Sequence, residues 1–181
     1  MSGTEDQIIQ QTKNWILQVV IGCNFCPFAA REFKLDTIRF RVEPSADNAA
    51  CLHAFMEECK RLDEEDAIET TVVILPNAVP DFDDYLELLH MAEELLLEFD
   101  YEGVYQVASF HPLYIFAGAT EDDASNYTNR SIYPMLHLLR EDSVEKALEK
   151  YPDAEEIPER NIRYANEKGM DYFKKLWESC L

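Results

Sequence analysis

An α/β fold is what this chain predicts, with α+β as the alternative, and three observations carry the prediction. Segments with the two-residue alternation of strands take turns along the chain with segments of helical spacing. No internal repeat, Gly/Ser run or low-complexity tract interrupts that order. Hydrophobic residues make up 47% of the 181 positions, enough for one sizeable core. The expected element order is αβαβαββαα: a small four-stranded mixed sheet packed with helices, one domain over residues 1–181. The last helix, about 157–180, is expected as a C-terminal addition. Helices that join successive strands act as crossovers, so at least two strand pairs are expected to be parallel.

The first helix starts at Thr4, where Thr-x-x-Gln to Gln7 makes a capping box. Ile8, Thr12, Trp15 and Val19 keep its spacing, and Gly22 is its natural stop. Residues 36–43 (DTIRFRVE) alternate as a strand, with Ile38, Phe40 and Val42 on one face and Arg39 and Arg41 on the other. Ser45 is the expected cap of a second helix, whose Leu52, Phe55, Met56, Cys59 and Leu62 make the buried stripe. Residues 69–76 (ETTVVILP) are β-branched and apolar enough for a strand covered on both faces. A third helix runs from Asp81 to about Tyr101, and residues 103–110 (GVYQVASF) form the third strand. A loop of about twenty residues follows, long for a compact domain and so functional or mobile. The segment YPMLHLLR is the fourth strand, with Pro134 tolerated near its start. Asp142 and Glu145 suggest a capping box for a short helix, and Pro158 begins the last one.

Composition excludes several functions. No run of about 18 apolar residues is present, and residues 1–7 (MSGTEDQ) lack the basic start and apolar core of a signal peptide, so a cytoplasmic protein is expected. Five cysteines, an odd number, then read as thiols or ligands. A formal net charge of −20 repels phosphate backbones and anionic lipids, which argues against nucleic-acid and membrane partners. Glycines form no phosphate-binding loop, and neither G-x-S-x-G nor H-E-x-x-H occurs. From Leu62 to Glu145 twenty acids face only two cations, Arg130 and Arg140. A small anionic molecule would find nothing else attractive there, which makes these two arginines candidates to hold one.

Other polar residues gather near them. Asn126 and Asn129 can orient a ligand, or simply fix a turn through their own backbone. His53 and His90 lie among glutamates on polar helix faces and read as solvated. His111 stands where the third strand meets the long loop. His137 sits among leucines in a buried strand, as a satisfied core residue or as a base. In C-N-F-C, Asn24 can cap a short helix over 25–31, which would set Cys26 at the positive end of a helix dipole and favour its thiolate. The alternative for Cys26 is a buried structural thiol.

Three blocks carry a resemblance: G-C-N-F-C-P-F-A at 22–29, F-H-P at 110–112, and N-Y-T-N-R-S-I-Y-P-M-L-H-L-L-R-E at 126–141. Together they resemble a bacterial domain-of-unknown-function family, number 1415, across essentially the whole chain. Ile132 departs from its pattern, which usually has proline there, and Cys23 falls on a variable position. The resemblance implies no activity. It implies that Cys26, His111, Asn126, Asn129, Arg130, His137, Arg140 and Glu141 belong to signature blocks and that these polar groups share one pocket.

The expectation is thus an uncharacterised protein, an enzyme or binding protein for a small anionic metabolite. Cys26, His111 and His137 are its candidate catalytic residues, and Asn126, Asn129, Arg130 and Arg140 its candidate binding residues. No metal ligand or cofactor is assigned. Two alternatives stand beside it: a mononuclear zinc or iron site built from Cys26, His111 and His137, and a non-catalytic acidic interaction module.

Overall fold

The structure, a computed structural model, describes residues 3–181. Thr4 accepts from Gln7 N–H and Gln7 reaches back to Thr4, the predicted capping box, at the start of helix α1 (Glu5–Trp15). Its path continues as a π-helical segment over Ile16–Ile21. Helix α2 (Ala29–Leu35) is followed by strand β1 (Ile38–Val42), helix α3 (Asn48–Glu64) and strand β2 (Thr70–Ile74). Helix α4 (Phe82–Glu98) and strand β3 (Tyr105–Phe110) lead into the long loop, which holds a 3-10 turn at Ala124–Thr128. Strand β4 (Met135–Arg140) precedes helices α5 (Glu141–Glu149), α6 (Ile157–Lys168) and α7 (Met170–Glu178).

The four strands form one mixed sheet in the order β1-β2-β4-β3. Only β1 and β2 pair in parallel; β4 runs antiparallel to both β2 and β3. The expected second parallel pair is absent because β4 inserts between β2 and β3. The crossover through α4 therefore joins two strands that are not neighbours. Alternation sorts the strands' side chains into two cores. Val72, Ile74 and Met135 face α1, the π-helical segment and the C-terminal helices, with Trp15, Val19, Phe25 and Phe173. Val73, Leu136 and Leu138 face α3 and α4, with Phe55, Leu62, Tyr85 and Leu88. This three-layer arrangement decides which polar residues can meet.

Several local expectations change. Asn24 does not start a helix: at φ 54° it takes the left-handed conformation that ends the π-helical segment, its N–H bonded to the Ile21 carbonyl. The short helix begins later, at Ala29. Asp47, not Ser45, caps α3, accepting from the Ala50 N–H at 3.1 Å, and no side chain caps α5. Gly169, at φ 79°, divides the expected final helix into α6 and α7.

Candidate functional site

Polar groups of the long loop bind the loop itself. Asn126, fully buried, accepts from the Phe116 N–H at 3.0 Å and donates to the Thr120 carbonyl at 2.8 Å. Asn129 donates to the Ser109 carbonyl at 3.0 Å and so ties the loop back to β3. Arg130 lies over the Tyr127 ring and donates to the carbonyls of Tyr114 (3.0 Å) and Glu121 (2.9 Å). Trp15 on α1 and Trp177 on α7 then donate to the carbonyls of Arg130 and Ser131, both at 2.9 Å. These bonds order a stretch whose backbone has no strand partner.

Arg140 works elsewhere. It donates to the carbonyls of Leu62 (2.6 Å) and Ile68 (3.1 Å), at and just beyond the C-terminal turn of α3, where a cation complements the helix dipole. It lies on the opposite sheet face from His137, as their spacing in one strand requires. His111 is on that α4 side too. Its ring packs against Phe82 and Tyr85, Nε2 donates to the Val79 carbonyl at 3.0 Å, and Nδ1 accepts from the Leu113 N–H at 3.0 Å. Both nitrogens are engaged and burial holds its pKa below the ordinary value, so this imidazole is neutral.

Cys26 and His137 come together on the other face. Both line an apolar cavity of about 60 Å³ with Trp15, Val20, Phe110 and Met135. His137 is enclosed by protein yet keeps accessible surface, because the cavity lies against it. Its protonation follows from its neighbour. Thr70 Oγ1 gives its single proton to the Leu138 carbonyl at 2.6 Å, so at 2.8 Å from His137 Nε2 it accepts. Nε2 therefore carries the hydrogen, and Nδ1 keeps a lone pair without a hydrogen-bond partner among the described residues. Burial pushes this imidazole's pKa down to about 4.

Of the two expectations for Cys26, a favoured thiolate and a buried structural thiol, the surroundings favour the second. Burial holds this thiol above its ordinary value and outweighs the nearby backbone N–H groups of Phe28 and Ala29, which act to lower it. A neutral thiol thus shares an apolar cavity with a neutral base. Cys26 also lines a wider groove of about 280 Å³, walled by Phe25, Phe116, Ile157 and Ile162 and edged by Asn129 and Asn161. Val20, Cys26 and Phe110 line both spaces.

The π-helical segment helps to shape the cavity. Bonds from Gly22 N–H to the Leu17 carbonyl and from Phe25 N–H to the Val20 carbonyl open the helical turn that places Ile16 and Val20 in its wall. Gly22 is required there, since a Cβ would stand 2.3 Å from the Gln18 carbonyl oxygen. Sequence reasoning missed Thr70 and this turn. Thr70 had a visible signal, as a polar residue beginning an otherwise apolar strand.

The expected triple of Cys26, His111 and His137 is not assembled, because the sheet separates His111 from the other two. Among the described residues no three His, Cys, Asp or Glu side chains are placed to hold a metal ion. No described helix is long and apolar enough to cross a membrane. The model of the family described as "Protein of unknown function (DUF1415)" matches residues 7–175, and the chain belongs to that family. No curated protein and no solved structure matches the chain.

Proposed function

We propose that this family member binds a small, uncharged and mainly apolar molecule, or the apolar part of a larger one, and reacts with it through Cys26. The observation that carries this reading is the placement of Cys26 and His137 on one apolar cavity, with Cys26 lining the open groove as well. A ligand in the groove would meet the sulfur, and the cavity has room for a short apolar group. An ionised group there would lose its hydration without a partner. The Arg130 and Arg140 guanidiniums and the Asn126 and Asn129 amides already bond backbone carbonyls, which favours an uncharged ligand over an anionic one.

The chemistry is nucleophilic addition. Cys26 Sγ forms a bond to an electrophilic carbon and its proton passes to Nδ1 of His137. The electron pair of the broken π bond goes to the electrophile's heteroatom, which the imidazolium then protonates. Thr70 holds the ring in the tautomer that leaves Nδ1 free to accept.

Two maleimides sharing one reactive group test this, one N-ethyl and one bearing a carboxylate, with labelling followed by intact mass and peptide mapping at high salt to screen the acidic surface. Cys26 is expected to react faster with the uncharged reagent by about tenfold or more. His137→Gln is expected to slow that reaction by at least ~10-fold, the low end of general-base effects. Equal rates for the two reagents would overturn the apolar ligand. An unchanged rate in the His137 variant would overturn its role as base.

A further inference from the structure

Cations that the acidic middle of the chain lacks are gathered on the far side of the sheet. β1 is an edge strand paired on one side with β2, and its Arg41 faces α3. His53, Glu57, the adjacent pair Lys60 and Arg61, and Glu64 recur on α3 every three or four residues, which aligns them on one stripe above that strand. Between them lies an open cleft of about 590 Å³, lined by this stripe with Arg41 and Glu58.

Hydrogen bonding in the cleft is incomplete. Only three buried side-chain polar atoms among the described residues lack a partner, and two of them are the Nε atoms of Arg41 and Arg61, both lining this cleft. Arg61 Nε lies 3.5 Å from a Glu58 oxygen, an ion pair without hydrogen-bond geometry. Arg41 is freer still: its guanidinium reaches Glu43 and Glu57 only at 3.6 and 3.7 Å, beyond hydrogen-bonding distance. Glu58 is already occupied, accepting from Arg39 at 2.7 Å. The Glu57 side chain is half exposed and free to swing into solvent. Lys60 is exposed at the rim.

The enclosed Nε atoms are out of a ligand's reach and Arg61 Nη1 already donates to Glu65 at 2.8 Å, but the terminal N–H groups of Arg41 meet no acceptor at hydrogen-bonding distance, which suits a ligand that accepts. We infer that this cleft between β1 and α3 binds a small oxyanion, a phosphate or carboxylate carried on a metabolite, with Arg41 as its principal ligand and Arg61 and Lys60 beside it. The planar guanidinium of Arg41 suits a two-oxygen group, and the oxyanion replaces Glu57 as its partner. The site lies across the sheet from Cys26 and His137 and does not depend on their chemistry.

Binding of inorganic phosphate and pyrophosphate to the whole protein, measured by calorimetry at low and at high salt, tests the inference. Saturable binding of one equivalent is expected, weakening with salt. Arg41→Gln is expected to raise Kd by about tenfold or more, the loss of one charge-assisted pair, and Arg61→Gln to raise it as well. Lys174→Gln, on α7, should leave it unchanged. Circular dichroism confirms that each variant is folded, and a resonance shift of the Arg41 side-chain N–H on phosphate addition, read on the unaltered protein, gives a second measure. No saturable binding at millimolar phosphate, or equal Kd for Arg41→Gln and the parent, would overturn the inference.

Discussion

Thr70 accepts a hydrogen bond from Nε2 of His137 at 2.8 Å while donating its only proton to the Leu138 carbonyl at 2.6 Å. A strand hydroxyl thereby selects the tautomer of a histidine 67 positions away in sequence, and leaves Nδ1 as the free nitrogen of a ring that lines the Cys26 cavity.

Thr70→Val keeps the shape of that side chain and removes its acceptor. The buried Nε2–H then has no partner, and a loss of about 1–3 kcal/mol is expected in urea unfolding. Nitrogen chemical shifts of His137 should also move from one tautomer toward a mixture. Unchanged stability together with unchanged shifts would rule out the relay.

His137 makes stability depend on pH. The group takes up its proton near 6.5 in the unfolded chain and near about 4 in the fold, so between those values the unfolded state holds more protons. Stability is therefore complete above pH 6.5 and falls as the pH drops toward 4, by a total on the order of 3 kcal/mol. His111, held down in the same direction by burial, adds to the slope. Urea midpoints taken across this range should decline with acid, and His137→Gln should flatten part of the decline.

Arg140→Met keeps the aliphatic stem and removes the guanidinium that bonds the Leu62 and Ile68 carbonyls. A cost of about 1.5–3 kcal/mol is expected by thermal unfolding, the range for hydrogen bonds to charged groups. Cys26 labelling should be unaffected, because Arg140 acts on the α3 side of the sheet. Slowed labelling in a fully folded variant would place Arg140 with the cavity instead.

Asn126→Ala removes both bonds that close the long loop, leaving the Phe116 N–H and the Thr120 carbonyl unpaired. Limited proteolysis should cut within residues 112–125 several-fold faster, with a stability loss of roughly 2 kcal/mol. Arg130→Ala should do the same through Tyr114 and Glu121. A loop as resistant as the parent's would show that these residues are not its staples.

Elements with a strong local signal were legible. The Thr4 capping box, the apolar run of β2 and the alternation of Ile38, Phe40 and Val42 against Arg39 and Arg41 each depend on neighbours within a few residues. Their boundaries were less so: β4 starts at Met135 instead of Tyr133, because Pro134 accepts from the Leu75 N–H but has no N–H of its own to return to β2. In the site, Cys26 and His137 could be named from sequence, whereas the distribution of partners could not. Arg130 and Arg140 stood out in an acidic stretch, but a cation isolated in sequence can still be enclosed in space. In the cleft between β1 and α3, the arginine left without hydrogen-bond partners was Arg41, which the sequence assigns to a strand face and no more.

What the sequence determined by itself was therefore a set of elements, the apolar material to bury between them and a short list of chemically capable side chains. Tertiary structure decided which of them meet. Insertion of β4 between β2 and β3 set Thr70 beside His137, and the sheet then put His111 and Arg140 on one side and Cys26 with His137 on the other. The physical reason is that a strand's alternation fixes only that adjacent side chains face opposite ways. Which face receives which helix, and so which polar atoms find partners, depends on contacts between residues far apart in the chain.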